Sequence, residues 1–150
     1  MSGKYLSVYL HIIWSAKNRK NLIDLEWRNR LHPYIGSIAR FKNAGLIAIN
    51  SQPDHVHSYF AFPSTLSIAD LVNAAKANST RWIRQTFPNR RFLAWQEGYA
   101  AFSVSRSDEE AVVSCMRNQD EHHKRQDFQA ELLELLGSHG VEYDLRYVFD

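Results

Sequence analysis

The sequence predicts an α+β fold, a ferredoxin-like βαββαβ core with a four-stranded antiparallel sheet followed by C-terminal helices. Three observations lead there. Alternating or short apolar runs at residues 5–14, 46–50, 55–62 and 95–105 read as strands. Helical spacing over residues 25–41, and from Ser67 to about Phe87, interleaves with them in the order β-α-β-β-α-β. Two more helical stretches follow Ser105, and the one from Asp108 is the natural cover for part of the sheet face that two crossover helices leave open. With 150 residues and 45% hydrophobic content, the chain suits one domain over residues 1–150, built on one core.

The elements are justified in turn. In residues 5–14, Leu6, Val8, Leu10, Ile12 and Trp14 alternate with Tyr5, Ser7, Tyr9, His11 and Ile13, giving a strand whose second face is the more polar. The helix over 25–41 carries Leu31, Tyr34, Ile35, Ile38 and Phe41 at helical intervals and stops at Asn43-Ala44-Gly45. Pro33 should bend or delay it. Ser51-Gln52-Pro53-Asp54 separates two β-like runs as the turn of a hairpin. Ser67 reads as an N-cap with Asp70 in the first turn, and Ile68, Leu71, Val72, Ala75, Ser79, Trp82 and Ile83 then recur at helical spacing. Residues 88–91 end that helix. The fourth strand, 95–105, is long and aromatic. Ser107 is expected to cap a third helix over 108–125, and an amphipathic stretch over 128–136 ends at residues 137–140.

Composition narrows the function without choosing it. A formal net charge of +2 permits nucleic-acid binding but does not demand it. One cysteine cannot form an internal disulfide, the N-terminus lacks the order of a secretion signal, and no apolar run approaches the roughly 20 residues that span a bilayer. The expectation is a soluble, cytoplasmic protein without a membrane partner.

The chemistry lies in the second strand of the hairpin. His55 and His57 flank Val56, so both imidazoles point to one face, about 7 Å apart at roughly 3.3 Å per residue, and can converge on one ion. Taken alone, such a pair of strand histidines is more often structural or solvated than a pair of ligands. Its setting, Pro53-Asp54-His55-Val56-His57, resembles the HUH motif of the single-tyrosine transposases of small insertion sequences and of the REP-associated tyrosine transposases. The likeness extends to residues 11–19 (HIIWSAKNR), 66–80 (LSIADLVNAAKANST), the run from Asn118 to His123 (NQDEHH) and the ending 140–150 (GVEYDLRYVFD), so it covers nearly the whole chain in order.

That resemblance implies binding of single-stranded or hairpin DNA, with metal-dependent nicking and strand transfer through a phosphotyrosine. It implies a divalent ion, magnesium or manganese, held by His55, His57 and Gln119, although two histidines accommodate zinc as well. It also implies a homodimer whose sheets pair, and the long aromatic fourth strand is an edge suited to that. The family's nucleophilic tyrosine stands four residues before the glutamine, on the same helix face. Here that position is Cys115, which leaves activity open: its alternative reading is a small buried cysteine packed near Val112 and Met116. Tyr59 shares a strand face with the histidines but sits on a rigid strand, and Tyr99, Tyr143 and Tyr147 match no nucleophile position. His122 and His123 are candidates for supporting the ion ligands or contacting DNA. Candidate DNA contacts are Lys17, Arg19, Lys20, Lys76, Arg81, Arg90 and Arg91, interleaved with Trp82, Phe92 and Trp95. Three functions compete: an active transposase, a DNA-binding descendant that forms no covalent intermediate, and a metal-dependent hydrolase using activated water.

Overall fold

The computed structural model describes residues 3–122 and 126–149. Its elements are β1 (Tyr9–Ser15), α1 (Arg28–Phe41), β2 (Gly45–Gln52), β3 (His55–Ala61), α2 (Ile68–Thr86), β4 (Ala100–Ser103), α3 (Glu109–Arg117), α4 (Gln119–His122) and α5 (Phe128–Ser138). The strands form one sheet in the order β2-β3-β1-β4, every neighbouring pair antiparallel. This is the α+β arrangement that the order of apolar periods predicts.

Period-two alternation decides what each face carries. Ile12 and Trp14 of β1, with Val56 and Phe60 of β3, point to α1 and α2, where Leu31, Ile35, Leu71, Ala75 and Ile83 close the larger core. Burying each large aliphatic or aromatic side chain contributes on the order of 2 kcal/mol. The other face carries His11, Ile13, His57 and Tyr59. It is covered by α3 through Met116 and by α5 through Phe128, Leu132 and Leu136. Cover by α3 is as expected, and α5 adds cover that the sequence reading did not assign to it. Among the described residues no helix is long and apolar enough to cross a membrane.

Several boundaries depart from the sequence reading. α1 starts at Arg28 rather than residue 25, because Asp24 is used in a turn: its carboxylate accepts from Trp27 Nε1 at 2.9 Å and its carbonyl from the Arg28 amide. Pro33 lies inside α1 without ending it. β4 spans four residues instead of the long run 95–105. The carbonyls of Gln96 and Gly98 turn away from β1 to accept from Lys76 Nζ at 2.9 and 2.7 Å, and Ser15 N donates to the Gln96 side chain at 2.7 Å. Those residues run beside β1 without forming a ladder. The third helix is also shorter than residues 108–125: it stops at Arg117, Asn118 adopts φ −98° and ψ 17°, and α4 begins separately at Gln119. The end of that predicted helix, with His123, lies outside the described residues, as does the side chain of His122.

The two predicted serine caps diverge. Ser67 Oγ accepts from the Asp70 amide at 3.0 Å, an N-cap bond. Ser107 caps nothing: Asp108 occupies the N-cap position without a side-chain bond, and the Ser107 hydroxyl pairs with Ser105 Oγ at 2.9 Å. Chemical denaturation should therefore show Ser67→Ala losing about 1 kcal/mol of stability, while Ser107→Ala stays within about 0.5 kcal/mol of the parent. Equal losses would show that the cap assignment is wrong.

Candidate metal centre

β3 delivers His55 and His57 to the face beneath the C-terminal helices, and both rings are buried. His55 has a partner at its Nδ1 and His57 at both ring nitrogens. His55 Nδ1 lies 2.6 Å from Asp54 Oδ1, so the ring donates there and, when neutral, carries its lone pair on Nε2. Its ring stacks on Phe128, centroids 4.2 Å apart. His57 Nδ1 lies 2.9 Å from His11 Nε2, and His57 Nε2 lies 2.7 Å from Glu131 Oε1. Burial, and then the neighbouring His57, pull the His11 pKa down to about 3, so the His11 ring is neutral at ordinary pH where it meets His57.

The donor atoms of His55, His57 and Glu131 all lie within 4.8 Å of one another, a group that could hold one metal ion. Gln119 joins it: its side chain is buried and Nε2 donates to Glu131 Oε2 at 3.4 Å. Gln119 Oε1 is buried with no hydrogen-bond partner. An acceptor left that way costs about 1 to 3 kcal/mol, which a cation among these donors would remove. The residues present thus fit a divalent ion. Gln119 is held in place through its neighbour, since Asp120 receives Arg28 at 3.0 Å and Gln52 at 2.7 Å.

Sequence reading brought His55, His57 and Gln119 together but passed over Glu131 and His11. Glu131 had a signal: it falls within the apolar stripe of Phe128, Leu132 and Leu136, where an unpaired acid is out of place. His11 was visible only as a polar residue on the second face of β1.

Cys115 stands beside a cavity of about 300 Å³ whose walls include His11, His57, Val112, Gln119 and Glu131. It is exposed, not the buried packing cysteine of the alternative reading; Met116 takes the inward position instead. α3 ends in a break rather than running on, yet Cys115 Sγ remains 4.0 Å from Gln119 Nε2. Partial burial and the Glu131 carboxylate push the Cys115 thiol pKa up. Tyr59 is committed elsewhere, donating to Glu109 Oε1 at 3.1 Å, with its phenol pushed up to about 12 by burial and that carboxylate. Tyr99, Tyr143 and Tyr147 line a different hollow, beside Phe128 and Leu132.

The basic residues divide. Lys17, Lys20 and Arg90 rim one hollow of about 200 Å³ together with Phe92, whose ring is 83% exposed. Arg91 lies 5.2 Å from the Phe92 ring, and Arg81 is exposed on α2. Arg90 is partly engaged, paired with Asp24 at 2.6 Å. Arg19 turns to the Phe149 carbonyl and ring. Lys76 is half-buried on the 96–98 carbonyls, and that burial lowers its pKa to about 8. Trp95 is a core residue that donates to Ser79 Oγ, and Trp82 stacks on Tyr34, which leaves Phe92 as the outward ring of the three.

Residues 4–119 match the model of the family described as IS200-like transposase. The chain belongs to that family. It is 24% identical over 122 residues to the ISDra2 transposase TnpA of Deinococcus radiodurans, covering 78% of this chain and 87% of that protein. A crystal structure of a candidate transposase from Deinococcus radiodurans superposes with a TM-score of 0.62 at 25% identity, covering 79% of this chain and 97% of the other. A REP-associated tyrosine transposase bound to a REP hairpin shares the fold, with a TM-score of 0.62 at 14% identity over 100% of this chain and 93% of that one. Within this IS200-like member the family match ends at Gln119, so α5 and Glu131 lie beyond it.

The state of the thiol is directly measurable. Although Cys115 is exposed, alkylation by iodoacetamide should be slower at pH 7.5 than for a free cysteine, with a pH midpoint above the ordinary 9.0. A midpoint below that value would mean a thiolate-stabilising environment that this geometry does not provide.

Proposed function

We propose that this IS200-like protein binds single-stranded or hairpin DNA at a divalent-ion site while forming no covalent link to it. One observation carries the reading: the ion donors His55, His57 and Gln119 are assembled and buried, with Gln119 Oε1 lacking a partner, whereas the position one turn earlier holds Cys115. An ion bound there, magnesium or manganese, would polarise a scissile phosphate. The chain's own residues do the rest. Asp54 and His11 orient the two imidazoles, and the Arg28–Asp120 pair steadies Gln119.

The family reaction needs a phenolate to attack phosphorus, forming an O–P bond as the P–O3′ bond breaks and the 3′ oxygen leaves as a hydroxyl. A cysteine sulfur lies several ångströms short of a phenolic oxygen, and at neutral pH this thiol stays protonated. Phosphate contact falls to Lys17, Lys20, Arg81 and Arg91, with Phe92 as a stacking surface and Arg19, Lys76 and Arg90 contributing what their internal bonds leave. The REP-hairpin complex of a protein with this fold supports a hairpin as the ligand. This reading includes a cytoplasmic location and a homodimer, for which sedimentation at micromolar concentration is the check.

A gel assay with hairpin DNA and manganese should show wild-type binding without a covalent adduct, and Cys115→Tyr should give detectable cleavage with an adduct. The cavity beside Cys115 offers the room that a phenol needs. Robust wild-type adducts would overturn the reading, and cleavage without any adduct would point to hydrolysis by water.

A further inference from the structure

We propose that Glu131 is itself a ligand of the ion, and that its carboxylate keeps the ion resident in the DNA-free protein. This rests on the ion site proposed above but adds a residue from α5, outside the family-matched region 4–119.

Three features carry it. First, Glu131 is 5% exposed on a helix whose other inward residues, Phe128, Leu132 and Leu136, are apolar. A carboxylate buried there is retained only where strong partners compensate it. Second, its two oxygens are directed at two different members of the proposed ion set: Oε1 lies 2.7 Å from His57 Nε2 and Oε2 lies 3.4 Å from Gln119 Nε2. Adjacent ligands of an octahedral ion bound at about 2.1 Å stand about 3 Å apart, so the Oε1–His57 Nε2 spacing suits shared coordination, while the Gln119 amide NH2, which cannot ligate, donates to Oε2 and leaves Gln119 Oε1 as that residue's ligand atom. Third, Gln119 Oε1 is buried beside that carboxylate without a donor.

The charge balance gives the consequence. His55, His57 and Gln119 are neutral ligands and would leave the full double charge of the ion in a buried place. Glu131 halves it, and a DNA phosphate later supplies the remaining negative charge. Without Glu131 the ion would depend on DNA for its neutralisation.

The test is titration of Mn²⁺ into the full DNA-free chain, with free ion followed by electron paramagnetic resonance and folding by thermal melt. Wild type should bind one ion per chain, Glu131→Gln should bind at least tenfold more weakly, and Glu131→Asp should fall between them. Wild type that binds no ion without DNA, or Glu131→Gln within twofold of wild type, would overturn the proposal while leaving the DNA reading standing. His57→Ala should abolish binding; a tight ion retained in that variant would place it elsewhere and remove the underlying site as well. If Glu131→Gln does not fold, Glu131→Asp is read on the same scale, and an affinity equal to wild type counts against the proposal.

Discussion

A buried chain of hydrogen bonds, from His11 through His57 to Glu131 and on to Gln119, is the constraint on which the second half of this protein depends. It links β1, β3, α5 and α4. Polar groups beneath helices are costly without a partner, so the helices that cover this face must present theirs at fixed positions. Apolar contacts around Ile13 and Phe102 hold α5 down, but the polar chain sets its rotation, because Glu131 must face the sheet alongside Phe128 and Leu132. The opposite face is packed mainly by apolar contact with α1 and α2, and its buried Ser58 and Ser79 donate to the backbone carbonyls of Ile12 and Lys76.

What was legible in the sequence follows from that division. Alternation in β1 and β3 and the helical period of α2 are local signals, so the order of elements along the chain and the shared face of His55 and His57 could be read directly. The fourth strand was overread because its shortening comes from Lys76, some twenty residues earlier in the chain, which takes the 96–98 carbonyls. The end of α3 was equally illegible, since α4 is anchored by Arg28 and Gln52 from distant elements. Gln119 was reached through family likeness and not through periodicity. Glu131 was readable as an acid in an apolar stripe, but the partner that explains it lies 74 residues away.

Cys115 gains its meaning from this arrangement. The proposed ion donors are buried together, and the residue at position 115 touches them through a 4.0 Å contact to Gln119. In the proposed reading, position 115 can therefore change without dismantling the site behind it. The break at Asn118 adds to that separation, because α3 carries position 115 while α4 carries the ligand.

The central claim is that Gln119 completes a set of ion donors with the two β3 histidines. Anomalous scattering from a crystal of the wild-type chain grown with Mn²⁺ tests it most directly. The account predicts a single strong peak within about 2.3 Å of a His55 nitrogen, a His57 nitrogen and Gln119 Oε1. A peak elsewhere, or a Gln119 side chain turned away from an ion held by the histidines, would contradict it.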